Sequence, residues 1–251
     1  NPSFVDKTIN NLVFYRNRLV FLSENSVVTS AAGDYTNLFQ LSALAVSPSD
    51  PVDVETTTNY STTLHAGIEI NNALVIFGEF QQFLLTTDSD IFDGRTAKIS
   101  QLANYHFDTD SEPFILGTNV GFMGPGKMYE MTNIFREGQV DVQEKSKLVY
   151  KTFEPGYSIT ESSKDEGLVV LAKPESDKMW LYKFFKENSQ QDIQSAWFKW
   201  KLPAPLLFQT MSTERFYAVV KTDDDVKLLR MNPEGNLYRD SLFNDEDIQY
   251  E

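Results

Sequence analysis

The sequence contains no cysteine and only two histidines, His65 and His106, among its 251 residues. Without cysteine there are no disulfide bonds, no thiolate metal sites and no cysteine nucleophile. Two histidines are too few for a histidine-rich metal centre, and they leave little material for a Ser/His/Asp triad. No apolar run approaches the roughly 20 residues that a membrane-spanning helix needs. These absences argue against several common classes of enzyme and metalloprotein.

Positive charge is also scarce. The chain has 22 lysine and arginine residues against 36 aspartate and glutamate residues, which gives a formal net charge of −14. It therefore lacks the basic footprint with which proteins hold DNA or RNA. The sequence begins at Asn1, without an initiator methionine and without the pattern of a signal peptide. We expect it to be a piece of a longer protein or a processed product.

Clear helical periodicity is missing, whereas short runs of β-branched, aromatic and leucine residues alternate with turn-forming clusters. Five apolar segments recur as anchors, with registers at Leu19, Leu74, Val120, Leu168 and Phe216. The steps between these registers are 55, 46, 48 and 48 residues. A polar turn and a second strand follow each anchor, and the second strands are predicted at residues 26–30, 82–86, 127–131, 178–184 and 226–231. A period of roughly 40–50 residues with several strands per repeat is typical of β-propeller blades.

We therefore predict an all-β chain, a β-propeller or propeller-like array of about five four-stranded antiparallel blades, with a β-sandwich as the alternative. The anchors fit the inner position of each blade, where both faces are packed. Residues 196–200 and 237–238 are candidates for outer strands. The propeller-like domain is predicted at residues 1–243, with blades at roughly 10–46, 60–100, 105–143, 157–202 and 205–240 and an acidic tail at 244–251.

Three further segments receive assignments from the sequence. The proline-rich residues 47–51 are predicted to open a long connection between blades. Closure of the array could borrow a strand from residues 5–8 or from sequence outside this chain, so the number of blades stays open. Residues 189–195 are the best candidate for a helix, although they resemble a turn between strands more closely.

Three motifs have the spacing of ligand-binding loops. Residues 121–127 (GFMGPGK) match a phosphate-binding loop, but Met128 replaces the required Ser or Thr and a strand follows in place of a helix. Residues 88–94 carry the aspartates of a calcium loop, but Phe92 and Ile99 occupy two of its ligand positions. We interpret the first as a hairpin turn, the second as a turn-rich loop, and residues 223–225 (DDD) as a solvated hairpin tip.

The histidines and aromatic residues admit both structural and functional interpretations. His65 is expected to be a hydrogen-bonded sheet residue, and His106 to make an aromatic or loop contact. The aromatic-rich fourth repeat could form a sugar-stacking platform, although core between blades and subunit contact are favoured; it contains Trp180, Tyr182, Trp197, Phe198 and Trp200. With 36 acidic residues, no carboxylate pair can be selected for glycosidase chemistry. No catalytic, cofactor-binding or metal-binding residue is assigned, and no cofactor is predicted.

Three N-terminal segments, residues 1–5 (NPSFV), 14–23 (FYRNRLVFLS) and 30–39 (SAAGDYTNLF), closely resemble the tail nozzle protein of short-tailed bacteriophages (podoviruses), a family also called tail tubular protein B. The similarity continues through residues 50–53, 74–77, 82–83, 179–184 and 190–200. Beyond Trp200 it rests mainly on the repeat period. The ordered series of segments, more than any single motif, carries the resemblance.

The resemblance implies a structural virion protein without enzymatic activity. Members of this family form the homo-hexameric distal end of a short tail tube that retains genomic DNA and conducts it into the host. The implied partners are a tail adaptor ring protein, a tail fibre protein and viral DNA that passes without specific binding, while the isolated fragment can be monomeric. The acidic charge suits a wall that does not hold DNA, and equally an ordinary solvated surface. The alternative is a glycan-cleaving or receptor-binding tail protein that acts on host surface polysaccharide.

Overall fold

A computed structural model describes residues 1–42, 44–57, 62–136, 138–149, 153–163, 167–186, 192–212, 215–231 and 249–250. Within these ranges the chain forms twenty β-strands in five sheets, with no α-helix, and all strand pairs are antiparallel. None of these described segments contains a helix that is long and apolar enough to cross a membrane. The predicted all-β class is confirmed.

The chain divides into two compact units, and the first comprises Asn1–Thr109. Its two four-stranded sheets follow chain order. The first contains β1 (Asn11–Tyr15), β2 (Arg18–Ser23), β3 (Ser26–Thr29) and β4 (Asp53–Glu55), and the second contains β5 (Leu64–Ile70), β6 (Ala73–Gly78), β7 (Gln82–Thr87) and β8 (Ala97–Ala103). Tyr15, Val20 and Leu22 of the first sheet share a buried core with Leu74, Ile76 and Leu85 of the second.

The second unit, Asp110–Glu251, contains three sheets. The first has β9 (Phe114–Leu116), β10 (Asn119–Gly124), β11 (Lys127–Thr132) and β12 (Asp141–Glu144). The second has β13 (Ile159–Ser163), β14 (Leu168–Ala172), β15 (Lys178–Lys186) and β16 (Asp192–Lys201), with β20 (Gln249–Tyr250) at its edge. The third has β17 (Leu206–Ser212), β18 (Arg215–Lys221) and β19 (Val226–Met231).

Strand β14 shows how the repeat builds the core of the second unit. Successive side chains of a strand point to opposite faces of the sheet. Leu168, Val170 and Ala172 therefore pack toward β17–β19, while Val169 and Leu171 pack toward β9–β12. Because both faces are covered, every residue of β14 is buried, and the same holds for β6 and β10. This double burial explains why the anchors are almost purely apolar.

The predicted anchors are confirmed as β2, β6, β10, β14 and β18, and the predicted second strands as β3, β7, β11, β15 and β19. Residues 196–200 lie in β16, as predicted. Each anchor is the second strand of its sheet, and β6, β10 and β14 are buried along their whole length, as predicted for an inner position packed on both faces. The first strands of neighbouring sheets also lie close to each other, with β1 against β5 and β13 against both β9 and β17.

Two predictions about the first sheet are wrong: the connection between blades at residues 47–51 and the strand at residues 5–8. Residues 47–51 lie between β3 and β4 of one sheet, because the short strand β4 pairs with β3 from Ser26↔Glu55 to Val28↔Asp53. Residues 5–8 supply no strand; the main chain there forms turns, with Lys7 N donating to Phe4 O.

Several predicted segments fall at least partly outside the described residues. Residues 237–238, 189–191, 244–248 and 251 lie outside them. Residues 192–195 belong to β16 and do not form a helix. Within the predicted acidic tail, Tyr250 and Gln249 pair with Trp200 and Lys201 of β16.

Candidate assembly surfaces

The residues that resemble a phosphate-binding loop form the β10–β11 hairpin, as interpreted from the sequence. Gly126 has φ +67° at its tip, where glycine avoids a steric penalty. Lys127 Nζ lies 3.3 Å from Glu144 Oε2, so this lysine is paired within the sheet. Gly121 allows the Phe114 ring to approach the strand, since a Cβ atom at this position would lie 2.2 Å from the ring. The glycines serve packing and turning.

The aspartates of residues 88–94 do not converge on one point. Asp93 accepts hydrogen bonds from the main-chain nitrogens of Arg95 and Thr96, and Arg95 Nη2 lies 2.9 Å from its Oδ2. The hydrogen bond from the Arg95 side chain holds the pKa of the Asp93 carboxyl below its ordinary value. Asp88 pairs with Lys98 instead. The segment is a turn-rich loop, as predicted.

The third aspartate-rich motif and the two histidines have ordinary structural positions. Residues 223–225 form the tip between β18 and β19, where Thr222 N donates to Asp225 O at 2.8 Å. His65 lies in β5, and its carbonyl oxygen accepts a hydrogen bond from Asn11 Nδ2. His106 stacks on the exposed Phe80, with a ring-centroid distance of 4.7 Å. Within the described segments, no group of three or more His, Asp or Glu side chains could hold a metal ion.

The aromatic residues of the fourth repeat divide between two cores. Trp180 and Trp197 pack on the cluster that joins the β13–β16 sheet to β9–β12, with their ring centroids 6.3 Å apart. Trp200 packs on the opposite cluster against Phe216. The alternation of a β-strand separates them, so they do not form one sugar-stacking platform. The prediction of core between blades is confirmed.

Arg18 is a buried cation that sequence reasoning missed. It is only 2% exposed, and its guanidinium donates to the main-chain oxygens of Ser30, Pro48, Asp50 and Phe92. Burial lowers its pKa, while the nearby Asp50 and Asp93 carboxylates oppose that shift. These bonds tie both ends of the connection between β3 and β4 to the first sheet.

Glu130 is a second buried charge, in the middle of β11. Its Oε2 lies 2.7 Å from Lys145 Nζ, and its Oε1 binds Lys186 Nζ and Asn119 Nδ2. Lys145 directly follows β12 and Lys186 ends β15, so the carboxylate joins two sheets of the second unit. Nothing in the sequence marks this residue among 36 acids.

The first sheet presents an apolar outer face, away from its core with β5–β8. Leu12 and Phe14 of β1 lie on it and are half exposed. The Tyr35 ring in the adjoining loop contacts Phe14 at 5.5 Å, and the same loop presents Phe39 and Leu41, which are 62% and 74% exposed. We call Leu12, Phe14, Tyr35, Phe39 and Leu41 the loop face.

The β17–β19 sheet presents a second apolar face. Phe208, Val219 and Leu228 are paired across its three strands and therefore share one side. Phe208 and Leu228 are 57% and 61% exposed, as is Val226 at 62%. The opposite side of the sheet is buried against β13–β16. We call Phe208, Val219, Val226 and Leu228 the strand face.

The chain segments that carry most of the two apolar faces differ in charge. Between Arg18 and Arg95 the sequence has ten acidic residues and no lysine or arginine. Strands β17–β19 carry four basic residues and no acidic one, and Arg215, Lys221 and Arg230 share the side of the strand face. Counting acidic and basic residues segment by segment reveals this asymmetry from the sequence alone, whereas the net charge of the whole chain does not.

Comparison with solved structures supports the propeller-like fold. Kluyvelomyces marxianus Hsv2 matches with a TM-score of 0.50 and 9% identity, over 93% of this chain and 59% of Hsv2. A structure of S. cerevisiae Dbp5 bound to Nup159 and Gle1 matches with a TM-score of 0.46 and 11% identity, over 92% of this chain and 61% of that one. The match to Hsv2 shows a propeller-like fold.

Comparison with known sequences identifies the family. The tail tubular protein gp12 of Escherichia phage T7 is 27% identical over 240 residues, which cover 92% of this chain. The chain spans 30% of the length of that relative. The model of the bacteriophage nozzle protein family matches residues 1–247, well past Trp200, where the resemblance read from the sequence weakens. The chain therefore belongs to the bacteriophage nozzle protein family, which confirms the predicted structural component of a phage tail, located in the virion.

Proposed function

We propose that the chain is part of the hexameric nozzle at the distal end of a short phage tail, where it retains genomic DNA and lets it pass into the host. The family match over residues 1–247 carries this proposal. In the assembled tail its partners are further copies of itself, a tail adaptor ring protein and tail fibre proteins.

The charge distribution supports passage of DNA without binding. A protein that neutralises phosphates with lysine and arginine binds DNA non-specifically, with a Kd of about 10⁻⁴–10⁻⁶ M at physiological salt. The stretch between Arg18 and Arg95 contains no lysine or arginine that could make such contacts. A wall of this kind leaves the DNA free to slide.

The role is structural and involves no enzymatic turnover. Candidate ligand-binding carboxylates are already occupied by cations, as with Asp93 and Arg95 or Asp88 and Lys98. No observation favours the glycan-directed alternative. Incubation with capsule or cell-wall glycan should give no product, and turnover abolished by a single Asp→Ala or Glu→Ala change would contradict the structural role.

An antibody against this chain, combined with electron microscopy of intact phage, tests where the protein lies in the particle. We expect label at the distal end of the tail and slower DNA release from labelled particles. Label on the capsid, or none on particles that are shown by mass spectrometry to contain the protein, would contradict the nozzle role.

A further inference from the structure

We propose that neighbouring copies in the ring contact each other head to tail, with the loop face of one copy seated on the strand face of the next. This inference rests on the proposed ring function and adds the surfaces that build it. A closed ring uses two different patches on every subunit, because its contacts are heterologous. The loop face and the strand face are two such patches, one in each unit of the chain.

The chemistry of both patches favours a second copy as the occupant. Interfaces between identical subunits are more apolar than contacts between different proteins. The loop face offers Phe14, Tyr35, Phe39 and Leu41, and the strand face offers Phe208 and Leu228. Among the described residues, Phe14, Phe39, Leu41, Phe208 and Leu228 are each more than half exposed.

Charge complementarity favours a head-to-tail contact over a contact between two loop faces. The net charge of −14 makes two copies repel on average, so the contact needs local complementarity. Tyr35, Phe39 and Leu41 of the loop face lie in the stretch between Arg18 and Arg95, which has ten acidic residues and no lysine or arginine, whereas Arg215, Lys221 and Arg230 share the side of the strand face. Contact between two loop faces would bring two acidic segments together, whereas a loop face on a strand face would place an acidic segment against basic side chains.

Hydrogen bonds within the chain also order the loop that carries most of the loop face before it contacts another copy. Arg18 binds Ser30 O and Pro48 O at the two ends of the connection between β3 and β4. Inside it, the Asp50 carboxylate accepts from Leu41 N at 3.2 Å and Ser47 N at 2.8 Å. Because these bonds already order the loop, less conformational entropy is lost when it docks.

Photo-crosslinking in assembled tails tests the contact directly. The full-length protein carries p-benzoylphenylalanine in place of Phe39, and purified tails are irradiated and digested for mass spectrometry. We expect a product of twice the subunit mass, with the crosslink on strand residues 206–228 of another copy. The matched control places the same group at Phe80, which is 57% exposed on a different sheet, and should give no crosslink to those strands.

Each other outcome overturns the head-to-tail contact. A crosslink to a different tail protein, a crosslink within one chain, or no crosslink in fully assembled tails would assign the loop face elsewhere. The nozzle role would survive all three, since it is tested by where the protein lies in the tail. As a second readout, Phe208→Asp should reduce the yield of assembled tails at least tenfold, whereas Phe80→Asp should not.

Discussion

Arg18 Nη1 donates a 2.6 Å hydrogen bond to the main-chain oxygen of Asp50, 32 residues further along the chain. The bond joins β2 to the end of the long connection between β3 and β4. It is one of several from the same buried guanidinium, so a single side chain holds the base of the loop face.

Replacement of Arg18 should therefore destabilise the first unit. Arg18→Met leaves the carbonyl oxygens of Ser30, Pro48 and Asp50 without their donor, and we expect a loss of about 2–5 kcal/mol in the free energy of unfolding. Urea unfolding measures it. Arg16→Met is the control, since Arg16 is less buried than Arg18 and its Nε donates an exposed hydrogen bond to Asn72 O. Equal losses of unfolding free energy in both variants would contradict the conclusion that Arg18 stabilises the first unit by holding the connection between β3 and β4.

Neutralisation of Glu130 should destabilise the second unit. Glu130→Gln removes the charge that compensates Lys145 and Lys186, and breaking a buried ion pair costs about 3–5 kcal/mol. The control is Glu154→Gln, because Glu154 pairs with Lys173 while 74% exposed. We expect a clearly lower thermal midpoint for the first variant and little change for the second. Indistinguishable midpoints would show that the buried cluster does not hold the two sheets together.

Gly121 should tolerate no side chain. Gly121→Ala places a methyl group where the Phe114 ring lies, so we expect a loss of about 1–3 kcal/mol from overpacking. Gly94→Ala is the matched control, since a Cβ atom at that position meets nothing within 4 Å. Denaturant unfolding separates the two, and an unchanged midpoint for Gly121→Ala would contradict the close packing of β9 on β10.

Alkaline pH should weaken the fold through two buried tyrosines. Burial raises the pKa of Tyr15 and of Tyr157 above the ordinary value near 10. Between that value and the raised pKa, the folded chain holds more protons than the unfolded chain, so stability falls as pH rises and is fully present below pH 10. The double variant Tyr15→Phe/Tyr157→Phe should lose less stability between pH 9 and pH 11 than the wild type. Parallel declines would contradict this coupling.

Much of the fold could be predicted from the sequence because strands buried on both faces require nearly pure apolar runs. The anchor of β14 (LVVLA) and the turn after it signal both strands of their hairpin. Strand β4 (DVE) gives no such signal, since it is short and exposed and forms only because β3 offers it a pairing edge. Because β4 gives no signal in the sequence, residues 47–51 are predicted to connect two sheets, whereas they lie between two strands of one sheet.

The functional surfaces were harder to predict, since they depend on partners distant in sequence. Glu130 is set apart from the exposed acids by its burial and by its contacts with Lys145 and with Lys186, which lies 56 residues away. Phe208 has the same apolar character as Leu206, yet one is exposed and the other buried because a bulge interrupts the pairing between them. Composition identifies such residues as apolar or charged, but only packing decides which ones remain available for contact.

Electron cryomicroscopy of the intact phage tail gives the most direct test of the nozzle assignment. The account predicts the five sheets described here repeated six times around the distal end of the tail, with Phe39 of each copy close to Phe208 of the next. Density for these sheets in the capsid or in a peripheral fibre, or outside any closed ring, would contradict it.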